Sequence, residues 1–159
     1  MPPKLDVQAL GRDVSVATFR NILFCHFRHE TPPTCVTMLR TAMKALPPDE
    51  KVVFFAVIET TSVTPNQEAR AAFAKFFEDY ATRFASAVVA ICGTGFRAAT
   101  VRTVASSVLS LLPRFRTAFP KHIVSSVEEA AAHAARSSPE LDLSAIAGAF
   151  REFSALHPA

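Results

Sequence analysis

The sequence of 159 residues contains no tryptophan, one tyrosine and four glycines, against fourteen phenylalanines. Because phenylalanine has no polar tip, this usage indicates aromatic side chains that fill a core. No apolar run approaches the roughly 18 residues of a membrane-spanning helix, and the acid-containing N-terminus lacks the apolar segment of a signal peptide. The three cysteines form no CxxC pair, and their odd number leaves one unpaired in any disulfide scheme. We therefore expect a cytoplasmic protein without a membrane span.

Acidic residues are missing from one long segment. None lies between Asp79 and Glu128, although the net charge of the whole chain is only +3. A charge this small gives no reason to expect nucleic-acid binding. Two explanations of the segment stay open: chance surface composition, or a basic face that meets an acidic protein or an anionic ligand. The cations of the segment are Arg83, Arg97, Arg102, Arg114, Arg116 and Lys121.

Half of the residues are hydrophobic, which excludes a disordered chain and allows one domain with its own core. We divide the chain into an N-terminal arm at 1–12, an α/β domain at 13–136 and a C-terminal helical extension at 137–159 that packs on the same domain.

Two continuous apolar runs predict strands that are buried on both faces, as parallel strands between helices are. These runs are Val52–Ile58 and Val88–Cys92. Two further runs flank the pair Arg20-Asn21 and predict an antiparallel hairpin. They are Val14–Phe19 and Ile22–Phe27, and a last short strand is predicted at Lys121–Ser125.

Helices are predicted between and after these strands, each with an N-cap residue. The caps are Thr31, Thr64, Ser126 and the segment Ser138-Pro139-Glu140, and Pro47-Pro48 ends the first helix. Apolar stripes at helical spacing predict the buried faces. The stripes are Val36, Leu39, Met43 and Leu46; Ala69, Ala72, Phe73, Phe76, Phe77, Tyr80, Ala81 and Phe84; Val101, Val104, Ala105, Val108, Leu111 and Leu112; and Leu143, Ile146, Phe150 and Phe153.

The pattern predicts one α/β domain with a mostly parallel sheet of about five strands, an N-terminal antiparallel hairpin, helices packed on the sheet and an extra C-terminal helix. This order resembles the STAS domain, the fold of bacterial anti-sigma-factor antagonists and of the cytoplasmic domains of sulfate transporters. The resemblance covers about residues 12–136 and rests on the element order, on VVFFAVIET with its following loop and helix, and on the strand–turn–helix ICGTGFR. It implies a regulatory protein of the bacterial cytoplasm. The helix at Leu143–Leu156 lies beyond the usual length of the family.

The antagonists carry an Asp-Ser-Ser-Gly motif after their third strand, and a partner kinase phosphorylates its serine. Counting from Glu59 puts this motif at about Gln67–Arg70, which contains no hydroxyl. The resemblance therefore does not carry the phosphorylated serine over, and Glu68 would supply a constant negative charge there.

The turn Gly93-Thr94-Gly95-Phe96-Arg97 is the best local candidate for a site. Glycines allow a sharp turn, and the start of a helix presents free N–H groups that favour an anion. Arg97 adds a positive charge at the carboxyl end of a strand, where open α/β sheets bind ligands. The segment is not GxGxxG, because Ala98 fills the third glycine position, and it lacks the P-loop ending. Plain turn geometry also explains the glycines, so both interpretations stay open.

A second candidate is the hydroxyl-rich loop Thr60–Thr64, also at the carboxyl end of a strand. Its hydroxyls are expected to satisfy backbone groups and to cap the helix. Phosphorylation is the alternative, because added charge near a helix start is well tolerated. The candidate positions are Thr61, Ser62 and Thr64.

No catalytic or metal-binding set emerges from the sequence. His26 and His29 are expected on opposite faces, so they cannot hold one metal ion together. Cys25 and His26 also point to opposite faces, and Cys92 lies in an apolar strand where burial leaves a thiol inert. We predict no enzyme activity, no metal and no cofactor.

The sequence thus predicts a non-catalytic regulatory module, similar to STAS domains, that binds another protein with an acidic surface. A kinase or a regulator is a candidate partner, and a homo-oligomer stays open. The predicted contact surface comprises Thr64, the Gly93–Arg97 turn and Arg102. The alternative is a binder of a small anionic or nucleotide-like ligand at that turn.

Overall fold

The computed structural model describes residues 3–110 and 119–157. Within these residues six strands form one sheet. The strands are β1 (Leu5–Ala9), β2 (Val14–Phe19), β3 (Ile22–Phe27), β4 (Val52–Ile58), β5 (Phe84–Ile91) and β6 (Lys121–Val124). The helices in the same residues are α1 (Cys35–Ala45), α2 (Gln67–Asp79), α3 (Phe96–Ser110), α4 (Val127–Arg136) and α5 (Leu143–Ala155).

The strands lie in the sheet in the same order as in the chain. The predicted hairpin of β2 and β3 is confirmed, and Arg20 in its turn has a φ of 55°. β1 adds a further antiparallel strand next to β2, so the N-terminal arm is part of the sheet. From β3 to β6 every pair of neighbouring strands is parallel. The predicted α/β class with an antiparallel N-terminal hairpin is therefore confirmed.

The central strands explain the continuous apolar runs, because alternate side chains face two separate cores. Val52, Phe54 and Ala56 of β4 point toward α1 and α2. Their neighbours Val53, Phe55 and Val57 point toward α4 and α5. A strand covered by helices on both faces has no polar side to expose, so all of its residues are apolar. β4 and β5 are adjacent and parallel, as predicted.

Phenylalanine rings fill both cores. On the side of α1 and α2, the ring of Phe77 lies 5.1 Å from that of Phe54 in an edge-to-face contact. On the side of α4 and α5, the ring of Phe24 lies 5.1 Å from Phe55 and 5.6 Å from Phe150. The abundance of phenylalanine is thus a property of the core. None of the helices in the described residues is long and apolar enough to cross a bilayer.

Three of the predicted N-caps are wrong. The N-cap of α1 is Thr34 rather than Thr31, and it makes no side-chain cap bond. The N-cap of α2 is Asn66 rather than Thr64, and its Oδ1 accepts from the Ala69 N–H at 2.8 Å. The N-cap of α5 is Asp142, whose carboxylate accepts from the Ala145 N–H at 2.7 Å, although this helix begins at Leu143 as predicted. At α2 and α5 a capping side chain closer to the helix takes the role.

The start of α4 follows the prediction. The Ser126 hydroxyl accepts from the Glu129 N–H at 3.1 Å, and the Glu129 carboxylate accepts from the Ser125 N–H at 3.5 Å. Thus Ser126 is the N-cap of α4, and the Glu129 carboxylate hydrogen-bonds the backbone of Ser125, the residue before the cap.

Smaller differences between prediction and structure concern the start of β5 and the buried faces of the helices. β5 begins at Phe84, four residues before the predicted start, because Phe84 and Ser86 are also buried. Phe84 therefore belongs to a strand and not to the α2 stripe. Leu143 is 40% exposed, so it does not belong to the buried face of α5. Val101 and Ala105 of α3 pack on the core as predicted. The predictions for the side chains of Val104 and Val108, and for Leu111 and Leu112, lie outside the described residues.

Candidate functional site

The loops that follow β3, β4, β5 and β6 lie at one edge of the sheet, because these four strands are parallel. We call this the carboxyl edge. Ligand sites of open α/β sheets lie outside this edge. The predicted site residues Thr64 and Gly93–Arg97 belong to the loops and helix starts found here, and Arg102 lies in the second turn of α3.

The turn from β5 to α3 has the sharp geometry that its glycines predict. Gly93 has a φ of 116° and Gly95 a φ of 94°, values that side-chain-bearing residues rarely adopt. A Cβ at Gly93 would lie 2.8 Å from Cγ2 of Thr60 in the neighbouring loop. Gly93 is therefore required both by the turn and by the close approach of the two loops. Thr94 and Arg97 are exposed, and the side chain of Phe96 is not among those that the structure describes.

Arg102 faces inward, toward the backbone of this turn. Its Nη2 donates to the carbonyl oxygens of Ile91 at 3.3 Å and of Gly93 at 3.2 Å. The same nitrogen lies 3.3 Å from the Ser125 hydroxyl in the β6–α4 loop. Arg102 therefore joins two loops of the carboxyl edge. Arg97, by contrast, is exposed and makes no hydrogen bond to any residue that the structure describes.

The three candidate phosphorylation positions have different surroundings. The Thr61 hydroxyl donates to the Arg28 carbonyl at 2.6 Å, and the Ser62 hydroxyl donates to the His29 carbonyl at 3.4 Å. These bonds tie the β4–α2 loop to the β3–α1 loop. Thr64 is exposed, and in the described part of the chain its hydroxyl has no hydrogen-bond partner.

An apolar cavity of about 120 Å³ opens beneath the β4–α2 loop, and sequence reasoning did not find it. Its walls come from that loop, from α2, from α3 and from the strands beneath. The lining includes Val63, Pro65, Phe73, Phe77, Val101 and Ala105. In the sequence, each of the lining residues from the helices belongs to an apolar stripe that predicts a core position. The sequence signal that could have pointed to the cavity is Val63, an apolar residue within a polar loop. In the structure Val63 is 46% exposed.

His26 and Glu59 form a pair on the other face of the sheet that the sequence did not reveal. His26 is 2% exposed, and its Nε2 donates to Oε1 of Glu59 at 2.8 Å. This hydrogen bond lowers the pKa of Glu59, burial opposes the shift, and the nearby charge of Arg28 adds to the lowering. The Glu59 carboxylate is therefore held in its ionised form. Among the described residues no group of three or more His, Cys, Asp or Glu side chains could hold a metal ion.

All three cysteines are free thiols, and their surroundings keep them protonated. Burial raises the pKa of Cys25 well above its ordinary value and raises that of Cys35 to about 12. Burial also raises the pKa of the half-buried Cys92, and the carboxylates of Glu59 and Glu128 add to it. A protonated thiol is a poor nucleophile. Cys25 faces the core beside α1, whereas His26 contacts Phe150 on the opposite face.

No family model, no curated protein and no solved structure matches this chain.

Proposed function

We propose that this chain is a non-catalytic protein-interaction module that binds its partner at the carboxyl edge. The observation that carries the proposal is the apolar cavity, which is lined by exposed Val63 and by Val101 and Ala105 of α3, the helix that also carries exposed Arg97. We call the cavity, Val63, Thr64 and Arg97 the docking surface. Its chemistry fits a partner that inserts one apolar side chain and places an acidic group beside it.

The size of the cavity favours a side chain over a free ligand. Pockets for small organic ligands measure about 300–1,000 Å³. A cavity of about 150 Å³ lined by apolar side chains holds one benzene molecule. The cavity of about 120 Å³ therefore fits a single leucine-sized or phenylalanine-sized group. Buried anchors of this kind supply most of the binding energy in protein interfaces.

The geometry of α3 places a charge on the helix face that also forms a wall of this cavity. Arg97, Val101 and Ala105 are spaced by four residues, so they lie on one face of the helix in successive turns. Val101 and Ala105 line the cavity, and Arg97 lies one turn nearer the start of the helix.

The exposed charge on the α3 side of the docking surface favours an acidic group on the partner, whereas Glu68 in the first turn of α2 is an exposed acid on the other side. Residues 60–67 contain no charged side chain, and 92–110 contain only Arg97 and Arg102. The guanidinium of Arg102 donates to backbone carbonyls, which leaves Arg97 as the exposed charge of these two segments. Complementary charges at the rim of an interface mainly speed association and select the partner.

The resemblance to STAS domains supports the same proposal, because anti-sigma-factor antagonists of that family act by binding other proteins. The strands and helices predicted from the sequence follow the order β-β-α-β-α-β-α-β-α-α. The same order is found in the structure from β2 through α5. We include in the proposal a regulatory role in the bacterial cytoplasm with a kinase or regulator as partner. Phosphorylation at Thr64 would add negative charge at the mouth of the cavity.

The test compares affinity capture from extract of the native host with two variants of the docking surface. Ala105→Leu fills the cavity, and Arg97→Glu reverses the charge beside it. Arg136→Glu is the control, since Arg136 lies in the last turn of α4 at the other end of the sheet. We expect one protein to bind the parent and the control and to be lost with both variants. Equal capture by all four proteins would exclude the docking surface as the interface.

A small anion at the Gly93–Arg97 turn is a second candidate, favoured by the exposed Arg97 beside the start of α3. Titration with inorganic phosphate separates the two functions. An anion site loses phosphate binding in Arg97→Glu and keeps it in Ala105→Leu, whereas a protein interface loses its partner in both.

A further inference from the structure

A second concave region lies at the carboxyl edge on the face covered by α4 and α5. It is a crevice of about 490 Å³ between the first turn of α4 and the last turns of α5. This volume is within the range of pockets that bind small organic molecules. The sheet separates the crevice from the docking surface, and none of its lining residues belongs to that surface.

Glu59 is the polar group of the crevice that the fold holds most firmly. Its Oε1 accepts the hydrogen bond from His26, while Oε2 makes no hydrogen bond within the described residues. The side chain is 40% exposed and lines the crevice. Nδ1 of His26 is buried and has no partner among the described residues either. Both members of the pair therefore keep unused hydrogen-bonding capacity, and that of Glu59 is open to a ligand.

An apolar wall belongs to the same crevice as this carboxylate. Phe150 of α5 lines the crevice with the 3% of its surface that is exposed, and its ring lies 5.3 Å from the ring of His26. Val57 and Val127 extend the apolar wall, while the Ser125 and Ser126 hydroxyls lie in the β6–α4 loop.

Carboxylates determine the local field on the crevice wall. At Cys92, which lines the crevice, burial is the main cause of the raised thiol pKa, and Glu59 and Glu128 follow. Arg102 opposes them and has the smallest effect of the four. Among the charges that act on the Cys92 thiol, the two carboxylates therefore outweigh Arg102.

The arginines near the crevice hydrogen-bond other groups, although the charge of Arg28 also acts on Glu59 and its Nη1 is buried without a hydrogen-bond partner among the described residues. Nη2 of Arg28 donates to the Ser154 carbonyl at 3.2 Å, and Arg102 donates to the turn after β5. Arg151 at the rim of the crevice forms an ion pair with Glu128. No arginine of the described residues hydrogen-bonds the open oxygen of Glu59.

We propose that this crevice binds a small organic amine as its ammonium ion. The ammonium donates to Oε2 of Glu59, and its carbon chain packs on the apolar wall. Glu128 provides a second carboxylate at the rim, where Arg151 competes with the ligand for it.

The test is an NMR titration of the full chain with n-propylammonium chloride, with 1-propanol and sodium propionate as matched neutral and anionic probes at equal ionic strength. We expect saturable shifts of the Ser125–Glu128 amides with the ammonium probe only. Glu59→Gln, which keeps an acceptor for His26, should weaken binding at least tenfold. Glu140→Gln is the control, since Glu140 lies after α4 and pairs with Arg20.

A gain-of-binding variant excludes an indirect effect of misfolding. Arg151→Gln removes the cation that competes for Glu128, so we expect several-fold tighter binding of n-propylammonium. The proposal is overturned if the ammonium probe gives no saturable shifts, if 1-propanol binds equally well, or if Glu59→Gln in its folded form binds like the parent. The docking-surface variants Ala105→Leu and Arg97→Glu should leave this titration unchanged, so the two proposals fail independently.

Discussion

Arg97 and Arg102 lie five positions apart on one helix, and their surroundings are opposite. Five residues correspond to a rotation of about 140° around an α-helix. Arg97 therefore shares the face of Val101 and is exposed, whereas Arg102 reaches the carbonyls of Ile91 and Gly93. Residue type and sequence position made both candidates for binding. The hydrogen bonds show that Arg102 also has a structural role in joining two loops.

Charge reversal should separate these roles. Arg102→Glu places a carboxylate against two carbonyl oxygens and removes their donor, so we expect a loss of about 1–3 kcal/mol in the free energy of unfolding. Arg97→Glu places an acid near the start of α3 and should stabilise by about 0.3–1 kcal/mol. Urea denaturation of both variants measures the difference. Equal stability of the two variants would contradict the structural role of Arg102.

The acid stability of the protein should depend on Glu59. Because its pKa is lowered in the folded state, the unfolded chain takes up the proton first. The stability it contributes is present above the unfolded value of about 4.3 and is lost as the pH falls through the folded value.

Glu59→Gln should therefore flatten the fall in unfolding free energy between about pH 5 and pH 3, with Glu140→Gln as the control for removing one carboxylate. Urea denaturation across this range gives the measurement. A Glu59→Gln curve parallel to that of the parent would mean that the His26 pair does not affect acid stability.

At the scale of elements, the start of α2 tests which residue caps the helix. The Asn66 side chain accepts from the Ala69 N–H, whereas Thr64 has no hydrogen bond in the described residues. Asn66→Ala should cost about 1 kcal/mol of stability and Thr64→Ala only a few tenths. Thermal melts of the two variants provide the comparison, and a larger loss for Thr64 would restore it as the cap.

The buried face of α2 makes a stronger contribution to stability. Phe77 is 6% exposed, and its ring lies 5.1 Å from that of Phe54 and 5.6 Å from that of Phe84. Phe77→Ala should cost about 3–5 kcal/mol, a large part of the roughly 5–15 kcal/mol that stabilises a domain. Arg70→Ala, at an exposed position of the same helix, is the control. An unchanged melting temperature of Phe77→Ala would contradict the packing of α2 on the sheet.

The same elements show what the sequence can and cannot predict. The bounds of β2, β3 and β4 follow from apolar runs and turn residues, because burial on both faces leaves a pattern in one segment. The N-caps of α1, α2 and α5 do not, since several capping residues precede each helix and their geometry decides among them. The cavity, the crevice and the His26–Glu59 pair join residues that are distant in the chain. Such sites depend on tertiary packing, for which a single sequence holds no local signal.

At the scale of the whole molecule, the sheet divides the carboxyl edge into two regions. The docking surface belongs to the side of α2 and α3, and the crevice belongs to the side of α4 and α5. Arg102 connects the two regions, since its guanidinium bonds both the turn after β5 and Ser125 before α4.

Local stability should differ between the helices on the docking side. The described side chains of α3 that are buried or half-buried are Ala98, Val101, Arg102 and Ala105, and the apolar ones among them are no larger than valine. α2 instead buries three phenylalanines: Phe73, Phe76 and Phe77. Because the described side chains of α3 bury less apolar area than those of α2, we expect α3 to open at a lower free energy than α2.

Hydrogen exchange measured by NMR should therefore show the α3 amides exchanging at least tenfold faster than those of α2, with the amides of β4 and β5 slowest of all. Ala105→Leu adds apolar contact inside the cavity, so it should slow exchange in α3 and leave α4 unchanged. The α4 amides serve as the internal control, because that helix packs on the other face of the sheet. If α3 exchanges as slowly as α2 in the parent protein, the helix is anchored as firmly as its neighbour. The cavity beneath it would then have a rigid wall, and a partner's side chain could enter only from the side of the β4–α2 loop.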